Sequence, residues 1–301
     1  MKKKIFVVLS LLLCLGLSFQ TIYALDYIDM DKDLSITIHH EIDSTKFSIY
    51  KVSDVTKDCQ YTLTDDFDDY PIDTDVETSE ELRTLAETLQ GYVSIDDIQS
   101  VSEGKTENGV IEFNHLEPGL YLIVGEQIAD DEYVYSVIPT LVYAPTIDGD
   151  DYIYDVDITP KYETNEREYS DKKVIKIWKN DSKSVRPSSI TIDLYRNKVL
   201  YDTVTLNKDN NWEYQWENLS NSDEWIAIEK DVPDHYSLSI VRENNTFVVT
   251  NTYHSNINKQ SDEKIPLTGQ LWWPVPVLAL FGLSFSFIGW MKKKDNKYEE
   301  K

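Results

Sequence analysis

The chain has 301 residues, with 29 basic and 54 acidic side chains and a net charge of −25. So acidic a surface is repelled by phosphate backbones, which excludes nucleic acid as a partner. Apolar residues make up 41% and aromatic residues 12%, enough core-forming material to exclude disorder for most of the chain. At ~150 residues per domain, the length suggests about two domains.

The first element is an address. A basic start, Met1 to Lys4, precedes an apolar run from Ile5 to Leu17 and a short segment ending at Ala24, the layout of a secretory signal peptide over residues 1–24. The run is too short to span a bilayer, which needs about 20 apolar residues. Leu11 to Cys14 has the outline of a lipobox, but Leu13 stands where a small residue is required. Export leaves Cys59 as the remaining thiol, so the exported part has no internal disulfide and needs another way to stiffen itself outside the cell.

Residues 25–165 read as a first domain. Leu34 to Ile38, Phe47 to Tyr50 and Leu120 to Val124 carry strand patterns, and Glu117-Pro118-Gly119 is a turn signal. One helix interrupts them: Thr78 or Ser79 caps it, Leu82, Leu85, Ala86 and Leu89 form its apolar face, and Gly91 is placed to end it. The acidic runs Asp65 to Asp69 and Asp148 to Asp151 read as loops. A polar segment, Glu163 to Asp171, marks the boundary to a second domain over residues 166–254. There Val174 to Trp178, Ile190 to Leu194, Trp225 to Ile228 and Phe247 to Val249 are strand candidates, with turns at Asp209 to Asn211 and Asn218 to Asp223. Short strands at ~8–12-residue spacing predict β-sandwiches. The expected fold class is therefore mainly β: two tandem immunoglobulin-like or transthyretin-like sandwiches, the first with an inserted helix.

Residues 255–264 read as a polar linker. Then come Ile265-Pro266-Leu267-Thr268-Gly269, twenty residues from Leu271 to Trp290 that are long enough to span a membrane, and the basic Met291-Lys292-Lys293-Lys294. By pattern alone this is a single-pass tail. The pentapeptide resembles the LPXTG sorting signal of Gram-positive surface proteins, with Ile265 in place of Leu, and the tripartite order over residues 265–301 matches as well. The resemblance implies that a sortase cuts between Thr268 and Gly269 and joins the Thr268 carbonyl to an amine, so that the membrane span is lost.

The second domain resembles the Cna B-type domain of Gram-positive adhesins and pilins. The resembling stretches are Lys176-Ile177-Trp178, Arg186 to Ile190, Leu194-Tyr195, Asn211-Trp212, Glu229 with Val232-Pro233 and Tyr236, and Thr250-Asn251-Thr252. The resemblance implies a self-made isopeptide bond from Lys176 to Asn251, assisted by Glu229 in the catalytic role. The chemistry asks for a neutral amine and a protonated acid, which burial near aromatic rings such as Trp178 would favour in both. The alternative is an ordinary Lys176–Glu229 ion pair beside a surface Asn251. Strand alternation sets Lys173 and Lys179 on the face opposite Lys176.

In the first domain, Phe47 to Val52 and Phe113 to Leu122 resemble strands of N-terminal pilin domains, with Glu126 where that family often has a glutamate. The first strand carries His39 and His40 where crosslinking relatives have lysine, so no bond of the same kind is expected there. Lys161, in Thr159-Pro160-Lys161, resembles the pilin-motif lysine that accepts the next subunit, although Thr159 replaces the motif's tyrosine; a plain surface lysine is the other reading.

No cofactor and no metal site is expected. His39 and His40 point to opposite strand faces, the acidic runs lack EF-hand spacing, and no nucleophile elbow or phosphate loop occurs. The functional expectation is a non-enzymatic structural protein, secreted and anchored to the Gram-positive cell wall, of the minor or basal pilin type. Its partners would be a sortase, peptidoglycan or other pilin subunits, and a host surface ligand, with contact to the membrane only before sorting. The alternative is a monomeric wall-anchored adhesin that binds a host protein or glycan through its first domain.

Overall fold

A computed structural model describes residues 27–96 and 98–255. The signal peptide (1–24), residues 256–264 of the linker and the sorting region (265–301) lie outside the described residues. Among the described residues, no helix is long and apolar enough to cross a membrane.

Fourteen elements come first: β1 (Ser35–His39), β2 (Lys46–Val55), β3 (Tyr61–Leu63), α1 (Ser79–Ile95), β4 (Ser102–Lys105), β5 (Val110–Phe113), β6 (Gly119–Gly125), β7 (Ile128–Ala129), β8 (Tyr133–Val137), β9 (Thr140–Ala144), β10 (Thr146–Asp148), β11 (Asp151–Ile153), β12 (Asp155–Ile158) and β13 (Tyr162–Glu166). A sheet ordered β3-β2-β6-β9, with β4 also on β2, forms the middle layer. One face packs on the β12-β1-β5 sheet around Ile36, Phe47, Tyr121 and Ile123; the other packs on α1 through Val52, Leu120, Leu122 and Leu89. Burial on both faces explains why β6 reads Leu120-Tyr121-Leu122-Ile123-Val124 without a polar break, rather than with the alternation of a half-solvated strand. Gly119 at its start is required by close approach: a Cβ there would sit 2.5 Å from the Ser53 carbonyl oxygen.

Seven strands follow: β14 (Tyr169–Lys179), β15 (Ser189–Arg196), β16 (Val199–Asn207), β17 (Glu213–Ser220), β18 (Trp225–Glu229), β19 (Tyr236–Glu243) and β20 (Thr246–Tyr253). They form two sheets, β17-β14-β20-β19 and β16-β15-β18, enclosing a core of Val174, Ile192, Leu194, Leu206, Trp216, Ala227 and Phe247. The first and last strands, β14 and β20, are parallel neighbours. The chain is thus mainly β, built from two sandwiches.

Three local expectations are corrected. Thr78 caps α1 in a reciprocal capping box with Glu81, but the helix runs on through Gly91 to Ile95. Gly91 marks a contact, not an end: a Cβ there would lie 3.7 Å from Ile228 of β18. The polar segment Glu163 to Asp171 holds the end of β13 and the start of β14, since an edge strand pairs by backbone and can keep polar side chains. Asp148 and Asp151 close a β10–β11 hairpin, leaving only Gly149 and Asp150 as its loop.

Candidate functional site: a buried lysine, glutamate and asparagine

β14 alternates, and its inward face carries Lys172, Val174 and Lys176. Lys173 and Lys179 point outward, Lys173 reaching Glu213 at 2.7 Å. In the parallel β14–β20 register, Lys176 lies opposite Val249 and Trp178 opposite Asn251. Asn251 therefore falls on the same inner face, one pleat repeat from Lys176. β18 delivers Glu229 from the facing sheet, where Trp225 and Ala227 share its inward orientation.

These three side chains meet. Lys176 Nζ donates to Glu229 Oε2 at 2.6 Å, and Asn251 Nδ2 donates to Glu229 Oε1 at 3.0 Å. Their exposures are 5%, 3% and 0%, so this ion pair is held out of water. Trp178 covers it, with its ring centre 4.9 Å from Lys176 Nζ, and Trp178 is braced edge-on by Trp212 and Tyr236. The Arg186 guanidinium also lies over the Trp178 ring, 5.1 Å from its centre, and forms a two-pronged pair with Asp181.

Burial moves both ionisable groups toward neutrality. It pulls the Lys176 ammonium down to about 8 despite the neighbouring carboxylate, and it raises the Glu229 carboxyl despite the neighbouring ammonium. One proton moved along the 2.6 Å hydrogen bond turns the ion pair into a free amine and a carboxylic acid. A nucleophile, a proton donor and a carboxamide then share one dry space. Asn251 Oδ1 is buried and accepts no hydrogen bond, which leaves the oxygen that gains charge during amine attack open to an acid.

A second lysine of β14, Lys172, is buried as well. Lys172 Nζ contacts only neutral oxygens, of Ser170, Asn221 and Asn245 at 3.1–3.3 Å, and burial lowers it to about 8. It has no acid beside it, so it lacks the proton donor that sets Lys176 apart. Only the two-residue phase of β14 distinguishes Lys172 from Lys173 in the sequence.

The remaining candidates are dispersed. Lys161 is exposed between β12 and β13, and its carbonyl accepts from the Ile138 amide. His39 pairs with Asp157 at the surface, while His40 is buried edge-on to Phe47 and Tyr162. Glu126 is exposed, 3.4 Å from Lys46. Cys59 is a buried free thiol against the Tyr152 hydroxyl. Among the described residues, no group of His, Cys, Asp and Glu is arranged to hold a metal ion.

Residues 172–252 match the Cna protein B-type domain family. This segment spans β14 to β20 and includes Lys176, Glu229 and Asn251. Similar solved structures include a single B repeat unit of the collagen-binding surface protein Cna of Staphylococcus aureus, at 15% identity over 74% of this chain and 99% of that one, with a TM-score of 0.27. The SpaA pilin–signal peptide complex of Corynebacterium diphtheriae shows 23% identity over 44% and 99% of the two chains, with a TM-score of 0.29. The major pilin SpaD of the same organism shows 11% identity over 75% and 99%, with a TM-score of 0.29. No curated protein matches the chain.

Proposed function

We propose that the chain is a cell-surface structural subunit of the minor or basal pilin type, whose Cna B-type domain crosslinks itself. The observation that carries this reading is the buried Lys176–Glu229–Asn251 set joining the first and last strands of that domain. The neutral Lys176 amine attacks Asn251 Cγ. The Nζ–Cγ bond forms, the Cγ–Nδ2 bond breaks, and Glu229 relays a proton so that Nδ2 leaves as ammonia. Fixed proximity supplies what a free amine and amide lack in water. The product ties β14 to β20 covalently, a staple for an exported chain whose described cysteine is unpaired.

The wall address completes the reading. A sortase would cleave after Thr268 in Ile265-Pro266-Leu267-Thr268-Gly269 and pass the acyl group to peptidoglycan or to another subunit, with Lys161 as the acceptor on this chain. Intact mass of recombinant residues 25–264 tests the crosslink: a deficit of one ammonia in the native sequence and the full mass in Glu229→Ala support it, while full mass in both rejects it. Wall extracts test the address. A product shifted by Thr268→Ala supports sorting, and a species that stays membrane-bound with either sequence rejects it.

A further inference from the structure

The Cna B-type sandwich is not closed by its own strands. β19 is an edge of one sheet and β18 an edge of the other, and α1 of the first sandwich lies along both. Three alternate amides of β19 find acceptors in the first sandwich: Leu238 N–H on the Pro71 carbonyl at 2.6 Å, Ile240 N–H on Thr88 Oγ1 at 2.9 Å, and Arg242 N–H on the Glu87 carboxylate at 2.7 Å. An edge that would otherwise expose a pairing template is thereby covered. On the β18 side, the contact of Gly91 with Ile228 falls one residue from Glu229. The next residue on the helix, Tyr92, is buried within the apolar core of the second sandwich, and Tyr70 stacks on its ring at 3.9 Å. Its hydroxyl is buried without a hydrogen-bond partner, an arrangement that packing imposes and hydrogen bonding does not reward. Burial and then the Glu229 charge raise the Tyr92 phenol, so the ring lies within electrostatic reach of that carboxylate.

We propose that Tyr92 is a positioning residue of the crosslinking site: carried by the first sandwich, its ring plugs the gap between β18 and β19 and keeps water from Glu229 and Lys176. This rests on the crosslinking reading. Trp178 shields the set on the aromatic side and Tyr92 on the helix side, so the dryness that neutralises Lys176 depends on docking between the sandwiches. The charged groups around the plug are Asp96 at the end of α1, bonded to the Tyr70 hydroxyl at 2.7 Å, and Asp231 after β18, which acts on Glu229. The ring does this work, not the hydroxyl.

The test uses residues 25–264, which contain every described element. Ammonia loss is followed by intact mass after cell-free synthesis. Tyr92→Ala is expected to slow it at least about tenfold, the factor for each pH unit by which the lysine rises away from working pH. Tyr92→Phe is expected to restore the native rate. A second readout separates sealing from mere folding: in an Asn251→Ala background, which cannot crosslink, the Lys176 titration followed by NMR should move from about 8 up toward its ordinary value when Tyr92→Ala is added. An unmoved titration with a folded spectrum overturns the inference, as does a native rate in Tyr92→Ala. If the native sequence keeps its ammonia, the crosslinking reading fails first, whereas the titration still judges whether Tyr92 seals the site.

Discussion

The two sandwiches meet the same demand, holding strands together without disulfides, in opposite ways. The first places a sheet between two apolar layers, and its stability rests on side chains such as Phe47, Leu122 and Leu89, all fully buried. Just past its first strand His40 is packed against aromatic rings. The second is thinner, with a single core, and the inner face of its first strand carries two lysines. Burying Lys176 and Glu229 costs free energy that a purely apolar core avoids. The difference teaches that the polar set in the second sandwich is poorly explained as a contribution to packing and well explained as the precursor of a bond.

The strongest way to break this contrast is at the acid. Glu229→Ala leaves Lys176 buried without a counter-charge and removes the proton relay. Unfolding of the second sandwich, followed by calorimetry, should lose about 3–5 kcal/mol for the broken pair when compared in the uncrosslinked Asn251→Ala background, and the native chain should also lose its crosslink. Equal melting of native and variant chains would refute the distinction. In the first sandwich, Leu122→Ala should cost about 2–5 kcal/mol by leaving a cavity, while the ammonia deficit stays intact. Loss of the deficit in that variant would show that the core of the first sandwich, and not the Tyr92 contact alone, governs the crosslink.

A pH series sharpens the comparison further. Because the Lys176 amine is lowered, its neutral fraction grows as pH rises toward about 8. Because the Glu229 carboxyl is raised, its acid form persists above the usual carboxylate range. Because the free amine and carboxylic acid together carry the same single proton as the ion pair, the crosslinking rate should be level between the two values and fall about tenfold per unit as pH drops below the carboxyl value or rises above the amine value. A rate that keeps rising as pH passes above about 8 would contradict a protonated Glu229 as the proton donor. The smallest effect is expected at the start of α1, where Thr78→Ala removes the capping box and should cost about 1 kcal/mol in global stability without slowing the crosslink.

Much of this was legible in the sequence. Alternation sets Lys173 and Lys179 on the face opposite Lys176, and the resemblance to Cna B-type domains marks Lys176, Glu229 and Asn251 as the candidate set. What sequence patterning did not reveal is contact between distant segments. Leu85, Ala86 and Leu89 stand out as the apolar face of α1, but Thr88, Gly91 and Tyr92 form a second buried face that looks polar or neutral because its partner is the backbone edge of β19. β13 has no apolar alternation to mark it, because Glu163, Thr164 and Asn165 satisfy their backbone against β8 with side chains that are half-buried or exposed. Lys172 shares the strand phase of Lys176, and no pattern beyond that phase marks it as buried.

The most direct test of the central claim is tandem mass spectrometry on a protease digest of the exported chain. The account predicts a branched peptide in which Lys176 and Asn251 are joined with loss of one ammonia, absent from Glu229→Ala. Recovery of both residues only in separate, linear peptides from the native sequence would contradict it.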